Sequence, residues 1–529
     1  MSAAIGAAIN AGPRPPQAIA AGAPASAPSM LRPMAGLLGI FLAAMMAGLN
    51  NRVGALALAD VRGALSLSSD DASWLSTVYT AGELIAMPFA AWFAITLSVR
   101  RFHLWMVGAC TVIAVVLPLL HSLPLMLVLR GLQGVAGGAL IPVLMMAALK
   151  FLPPNIRLHG LALYSMTATF APNLAGWFAG QWVDAAFDWR WIYWQVIPVA
   201  ALSALLVGWG LKREPVQAGR WAGANWLGMA CAVPGLALLA VALDQGVRLD
   251  WFNSPLIVCA LAAGLGLTFV YGLTEWFHPA PFMRLQMLSR RNLALGFTVF
   301  IGLLVVALSG SFLPAADLGA LRGYRALQSA PIGLIIALPQ LLFGPLVALL
   351  LYRKWADARI VCATGLALLA AACLLGSRLT SDWVWQQFAW AQMLQAVGQP
   401  MTVVALLFLA TSVVQPAEGP YVSGIINTLR AAGVLFGSAV VGQFSAVRSR
   451  FHAEMLLDHA ARAAGALQPA ADPGQLAAAL NGQAFVLATA DAYRVLGALA
   501  LALIPLALLM QYIPAPAVKP AASPAAQVH

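Results

Sequence analysis

The amino-acid sequence predicts an all-α membrane protein of the major architectural kind in which two pseudo-symmetric six-helix bundles are joined by two extra transmembrane helices. Three observations carry that expectation. Of 529 residues, 61% are hydrophobic and only 9% are charged, too few charges to cover a water-soluble body of this size. The apolar residues fall into long runs separated by short polar connections. Finally, the run Leu129-Arg130-Gly131-Leu132-Gln133-Gly134-Val135-Ala136-Gly137-Gly138 has a counterpart in Met393-Leu394-Gln395-Ala396-Val397-Gly398-Gln399-Pro400. Each is followed by a Pro-containing connection and a Gly-rich run, as expected of an internal repeat that builds two related bundles.

A bilayer core about 30 Å thick takes about 20 mostly apolar helical residues. Fourteen runs meet that requirement: 34–56, 72–96, 102–121, 124–149, 159–182, 191–211, 224–244, 254–276, 293–314, 330–352, 359–377, 384–413, 420–444 and 493–513. Pro and Gly inside them, as at Met87-Pro88 and Gly137-Gly138, are tolerated because neighbouring helices re-satisfy the freed backbone groups. The expected organisation is a disordered cytoplasmic tail over 1–33, a first bundle over 34–211, two extra helices with linkers over 212–291, a second bundle over 292–513 and a further cytoplasmic tail over 514–529. Both tails are rich in Pro and Ala. Residues 445–492 read as a long outer loop, either holding an amphipathic helix on the membrane surface or partly ordered.

The net charge of +11 reads as topology. With the N-terminus inside, the inner side takes Arg32, Arg100, Arg101, Lys150, Arg157, Lys212, Arg213, Arg284, Arg290, Arg291, Arg353, Lys354 and Arg359, against the acids Glu214, Asp357 and Glu418. The outer side takes most carboxylates, among them Asp60, Asp70, Asp71, Asp184, Asp188 and Asp244. The positive-inside rule therefore predicts a multi-pass protein of the inner membrane with both termini cytoplasmic. Because the bases are scattered between apolar runs instead of clustered on one face, nucleic-acid binding is not expected. The five cysteines stand singly in apolar runs and read as packing residues. The seven histidines form no metal-binding spacing, and no Walker-type phosphate loop occurs. Neither an enzyme nor a cofactor is expected.

Several motifs, taken in order, resemble one family. Leu129-Arg130-Gly131-Leu132-Gln133-Gly134 is similar to the fourth-helix motif of the major facilitator superfamily. Asp188-Trp189-Arg190-Trp191-Ile192-Tyr193, through Val196-Ile197-Pro198, resembles its signature before helix 6. Leu243-Asp244-Gln245-Gly246 with Leu249-Asp250-Trp251-Phe252, Asn427-Thr428-Leu429-Arg430-Ala431-Ala432-Gly433, and Gln483-Ala484 through Asp491 resemble its fourteen-helix drug:proton antiporter branch (EmrB/QacA-type). Three departures stand beside them. Asn50 occupies the place of an acidic residue late in helix 1. The loop Ala94-Ile95-Thr96-Leu97-Ser98-Val99-Arg100-Arg101 keeps the bases of a Gly-Asp-Arg-Gly-type motif but not its glycines or acid. The helix 5 antiporter motif survives in part, as Ala171-Pro172-Asn173-Leu174-Ala175-Gly176-Trp177-Phe178-Ala179-Gly180.

The resemblance implies a proton-coupled antiporter that exports small organic molecules, as multidrug or toxic-compound efflux, by alternating access. It also implies work with a periplasmic adaptor protein and an outer-membrane channel where the envelope has two membranes. The alternatives are an exporter or importer of a specific metabolite or siderophore and, from another class, a non-transporting sensor or scaffold. The expected partners are a small organic substrate, protons and the lipid bilayer.

Such coupling needs a group that takes up and releases a proton within the membrane, and a carboxylate there is a functional candidate by default. Glu83 lies about eleven residues, or about 16 Å, into helix 2. It is the expected proton carrier in place of the acid missing at Asn50, with Arg130 or Arg52 modulating it; the alternative is an ion pair that merely holds helices together. Asn50, Tyr79, Phe170, Trp177, Trp390, Gln392 and Arg430 are the expected substrate-binding residues, although aromatic residues on spans commonly face lipid or pack. Pro172, Asn173, Gly176 and Gly180 are expected to let helix 5 pack closely against the other bundle in gating. Glu275, near the inner end of helix 8, is expected at the membrane interface.

Overall fold

Hydrocarbon offers backbone amides no hydrogen-bond partner, so a spanning chain satisfies them within helices. The computed structural model describes residues 31–152, 156–464 and 473–516, and among them there is no β-strand. Fourteen long helices follow one another: α1 (Leu31–Leu56), α2 (Ser69–Leu97), α3 (Val99–Val116), α4 (Leu123–Phe151), α5 (Arg157–Gly180), α6 (Val196–Gly210), α7 (Trp226–Gln245), α8 (Pro255–Phe277), α9 (Arg291–Arg322), α10 (Ala326–Leu351), α11 (Ala358–Gly376), α12 (Ala389–Thr411), α13 (Gly419–Ala464) and α14 (Pro473–Leu508). Thirteen of these spans are long and apolar enough to cross a membrane, that of α6 counted from Trp191. The other, α5, has 24 residues and owes its lower hydropathy to Ser165, Thr167, Thr169 and Asn173, all buried. Local signals set several starts. Ser68 caps α2 by accepting from the Asp71 amide at 3.0 Å, and Asn225 caps α7 by accepting from the Gly228 amide at 2.9 Å.

The packing repeats. In the first half α1 packs on α4, α5 and α6, and in the second α9 packs on α12, α13 and α14. Likewise the α2–α4, α3–α4 and α3–α6 contacts correspond to α10–α12, α11–α12 and α11–α14. Between the halves, α5–α10 corresponds to α13–α2, and α5–α12 to α13–α4. The extra pair, α7 and α8, packs together, and α7 lies against α2 and α13. The architecture is thus the two-bundle fold with an added pair.

Small residues set the closest approaches, because lipid supplies no hydrophobic drive between helices and backbone proximity must supply dispersion instead. A Cβ on Gly134 would collide with the Tyr79 carbonyl, and one on Gly138 would sit 2.6 Å from the Glu83 Cα. These two glycines, one turn apart on α4, let α2 lie flush in register with Glu83. Asp317, on α9, and Glu275, on α8, are buried acids elsewhere in the spans. Glu275, two residues from the end of α8, accepts from Asn225 Nδ2 at 2.9 Å and from the Met283 amide at 2.8 Å, tying the ends of the extra pair to the linker that follows.

Of the expected outer loop over 445–492, residues 445–464 and 473–492 are helical, and 465–472 lie outside the described residues. Helix α13 runs unbroken for 46 residues, about 69 Å at the helical rise, and α14 has 36 residues. Arg448 and His452, one turn apart on α13, both reach the Asp491 carboxylate of α14, at 2.6 and 2.8 Å. The two helices thus continue as a pair past any bilayer thickness. Charged residues end a membrane span in a sequence, but they do not end a helix. Residues 1–30 and 517–529, which hold most of both expected tails, lie outside the described residues.

On the face where α1 begins, Arg290 ahead of α9 grips Glu418 ahead of α13 with both guanidinium nitrogens, at 2.8 and 2.6 Å. That hydrogen bonding holds the Glu418 carboxyl below its ordinary value, so its stabilising contribution exists above the unfolded-state value of 4.5 and is lost as pH falls through the folded one. Glu418→Gln is expected to unfold at a lower temperature than the unaltered chain at neutral pH, and the deficit should vanish as the medium is acidified well below pH 4.5; a deficit constant with pH would contradict this. Gly138→Ala should cost about 1–3 kcal/mol by overpacking α2 against α4. Gly108→Ala, where a Cβ meets nothing within 4 Å, is the control and should leave the unfolding midpoint unchanged or slightly raised.

Candidate functional site

Ser76, Thr80, Glu83 and Met87 follow one another at helical spacing along one face of α2, and that face lines a cavity of about 210 Å³ between the halves. The cavity is completed by Asn51 and Arg52 of α1, Thr167 and Pro172 of α5, Leu304 of α9, and Arg430 with Ser438 of α13. Asp244, from the extra helix α7, also lines it. Four charged side chains therefore meet a cavity inside the spans, where an uncompensated charge is costly.

Their hydrogen bonds differ. Asn51 Nδ2 donates to Glu83 Oε2 at 2.6 Å, and no Lys, Arg or His nitrogen among the described residues lies within 4 Å of that carboxylate. Arg430 crosses from the second half to the first, donating to Thr167 Oγ1 at 2.8 Å and to the Thr167 carbonyl at 2.6 Å. Asp244 Oδ2 accepts from Thr77 Oγ1 at 2.5 Å, and Gln245 Nε2 also donates to that hydroxyl. The Ser73 carbonyl lies 3.1 Å from the same Thr77 oxygen. A hydroxyl has one proton, so Thr77 serves Asp244 or Ser73 but not both.

Arg130 occupies a separate, buried compartment inside the first half. Its guanidinium stacks 4.2 Å from the Tyr79 ring, donates to Gln133 Oε1 at 2.6 Å and reaches the Asn50 carbonyl at 3.4 Å. Asn50 Nδ2 in turn meets the Tyr79 hydroxyl at 3.5 Å. The repeat carries this arrangement over without the charge: Gln392 on α12 donates to the Gly310 carbonyl of α9 at 3.0 Å, and Gln395 to Ser309 Oγ at 2.7 Å. Of the sequence-selected residues, the structure brings Glu83, Arg52, Arg430 and Pro172 onto the cavity. Asn50, Tyr79 and Arg130 lie together behind it. Phe170 packs with Met45 and Met166, Trp177 stands against Phe178, Gln392 is buried in the second half, and Trp390 is 73% exposed on its perimeter.

Asn173, Gly176 and Gly180 face α10. The Asn173 carbonyl meets Gly333, the Gly176 position is nearest Ala330, and a Cβ on Gly180 would lie 2.5 Å from the Leu327 Cα. Toward the opposite ends of the same helices the Tyr352 hydroxyl accepts from the Leu158 amide at 3.2 Å. Tyr164 donates to Asn427 Oδ1 at 2.9 Å and Ser423 to the Pro142 carbonyl at 2.7 Å, both across the halves. On the acidic face Arg325, ahead of α10, pairs with Asp184 at 2.5 Å and Asp60 at 2.8 Å.

Sequence reasoning did not select Asn51, Thr80, Thr167, Ser438 or Asp244 for the cavity. The spacing of Ser76, Thr80 and Glu83 as one polar stripe on an otherwise apolar helix is the signal that held part of the answer. Asp244 gave none, since it ends its span and reads as a loop acid.

The chain is 26% identical over 401 residues to the colistin resistance protein EmrB of Acinetobacter baumannii, covering 75% of this chain and 77% of that one. It is 23% identical to the fatty acid resistance protein FarB of Neisseria gonorrhoeae, covering 80% and 82%. Its fold resembles that of the human organic anion transporter MFSD10, with a TM-score of 0.56 at 14% identity over 91% of this chain and all of that one. It also resembles the proton:xylose symporter XylE, with a TM-score of 0.53 at 12% identity over 90% and 95%. The family model described as Major Facilitator Superfamily matches residues 40–438, a stretch reaching from the first half across α7 and α8 into α13, and with the repeated bundles this establishes that the chain belongs to the major facilitator superfamily, a family of membrane carriers and not of enzymes.

Proposed function

We propose that this carrier is a proton-coupled antiporter that exports small organic molecules, within the fourteen-helix drug-efflux branch of its superfamily, across the inner membrane. The observation that carries the reading is the placement of Glu83: a carboxylate inside the spans, with no cation within 4 Å among the described residues, hydrogen-bonded by a neutral amide and facing a cavity between two halves whose helix packing repeats. A carboxylate so placed takes up a proton when the cavity meets one side and releases it when the cavity meets the other. Arg52 and Arg430 in the same cavity respond to its charge, so substrate entry and proton release compete for one electrostatic environment. Asp244 extends that environment to the extra helix α7. The names of the relatives, one a colistin resistance and one a fatty acid resistance protein, support export of amphiphilic organic molecules. The basic and acidic faces support cytoplasmic termini, and the motif resemblance to the drug:proton antiporter branch is the ground for proposing a periplasmic adaptor protein and an outer-membrane channel as partners.

Alternating access requires contacts that break cheaply. Arg325 is more than half exposed, and exposed ion pairs of this sort are worth about 0–1 kcal/mol each. The Asp184–Arg325–Asp60 bridge thus acts as a weak latch over the close α5–α10 packing, where Asn173, Gly176 and Gly180 form the gate.

Glu83→Gln should abolish substrate movement driven by a pH gradient in reconstituted liposomes while leaving expression and the unfolding midpoint intact; gradient-driven transport at the unaltered rate would remove the proposal. Arg325→Ala should bias the protein toward opening at the acidic face. Ser438→Cys, placed in the cavity, should then react several-fold faster with a membrane-impermeant maleimide from that face when Arg325 is replaced than when it is present. Equal rates would show that the bridge does not gate.

A further inference from the structure

The connection between α2 and α3 is the loop that keeps its bases and lacks the expected glycines. In the structure Ser98 occupies it at φ 79°, a backbone region that disfavours side chains and persists in non-glycine residues where the surroundings over-determine it. Ser98 is also the N-cap residue of α3 but makes no side-chain cap bond. Its Oγ is buried and has no hydrogen-bond partner, although a buried hydroxyl without a partner is costly. The strain and the orphaned hydroxyl are independent anomalies at one residue. Both adjoin a groove on this face, of about 680 Å³, which Ser98 lines.

The groove is built for an anion. Arg32 of α1, Arg100 of α3 and Lys212 beyond α6 line it, and none of the three has a carboxylate within 4 Å among the described residues. Arg100 is anchored by donating to the Leu211 carbonyl at 3.2 Å, which leaves further guanidinium donors available. The one acid in the lining, Glu214, pairs with Lys150 at 3.6 Å. The first amides of the 18-residue helix α3 have no acceptor within their own helix and carry the positive end of its dipole. Trp209 and Phe151 supply apolar wall, with the Arg32 guanidinium 5.9 Å above the Trp209 ring. Trp209 is half exposed and next to the last residue of α6, and on a basic face the end of a membrane-spanning helix is where anionic lipid headgroups are expected.

We propose that this groove binds a phosphate group, carried by an anionic phospholipid of the membrane, with Arg32, Arg100, Lys212, the Ser98 hydroxyl and the N-terminus of α3 as its donors. The site bridges α1, α3 and α6 at their ends on the basic face, so an occupied groove stiffens the first bundle against its own splaying. It is separate from the transport cavity and does not depend on the proton reading.

The test uses the full chain purified in a neutral detergent, with the thermal unfolding midpoint read against added phosphatidylglycerol, phosphatidylcholine or inorganic phosphate. Phosphatidylglycerol should raise the midpoint saturably and phosphatidylcholine should not. Lys212→Gln, at an exposed position that leaves the fold undisturbed, should weaken the half-saturating concentration about tenfold, as the loss of one charge-assisted contact implies. Ser98→Gly should raise the lipid-free midpoint, by relieving the strained backbone, while weakening the response to phosphatidylglycerol; a purely structural serine would not separate the two. A midpoint raised by inorganic phosphate as well, and lost in Lys212→Gln, supports the same site with free phosphate as its source. Identical titrations for the unaltered chain and both variants would overturn the proposal, as would equal protection by phosphatidylcholine.

Discussion

The contact on which the rest depends is the seam between α2 and α4. Two glycines one turn apart on α4 bring the α2 backbone to van der Waals limits at Tyr79 and Glu83, and in lipid that proximity is itself the cohesive force. The seam fixes the rotation of α2 as well as its position. One face of α2 then presents Tyr79 inward to Arg130, and the neighbouring face presents Ser76, Thr80 and Glu83 to the cavity. A side chain on either glycine would displace both sets together.

From that fixed first half the molecule is assembled by repetition. The same helix pairs recur in the second half, and even the buried polar contacts recur, with Gln392 holding the Gly310 carbonyl where Arg130 reaches that of Asn50. The repeat is symmetric in packing and asymmetric in charge. Arg130 and Glu83 belong to the first half, while Arg430 extends from the second half to Thr167 of the first. Inside the bundles, closely packed polar networks are expensive to disturb. Between them, buried hydrogen bonds such as those of Arg430 to Thr167 and of Tyr164 to Asn427 stand beside an exposed bridge of Arg325 at the acidic face, and only the exposed bridge is individually weak.

Much of the fold was legible before any coordinate was considered, for a physical reason: every span must be helical and about 20 residues long. Each of the fourteen apolar runs overlaps one of the long helices, and the repeat at Leu129 and Met393 announced the two bundles. Where the reading slipped, polarity misled it. The charged stretch from Arg448 to Arg462 looked like a loop and is continuous helix, because Asp491 on the neighbouring helix satisfies Arg448 and His452. For Glu275, near the end of α8, the sequence did not display its partners: the linker amide of Met283 and the Asn225 side chain enclose it.

The candidate site divides in the same way. Composition and hydropathy by themselves determined that the chain spans a membrane many times, and the rarity of charge within spans picked out Glu83, Arg52, Arg130 and Arg430. Only the tertiary structure decided which of them share a space: Glu83, Arg52 and Arg430 line the cavity with Asp244, while Arg130 is sequestered with Tyr79 and Asn50. The cost of putting a charge in hydrocarbon depends on depth along one helix, which a sequence displays. The partner that charge meets depends on how each helix is rotated against its neighbours, and that is settled by packing between residues far apart in the chain.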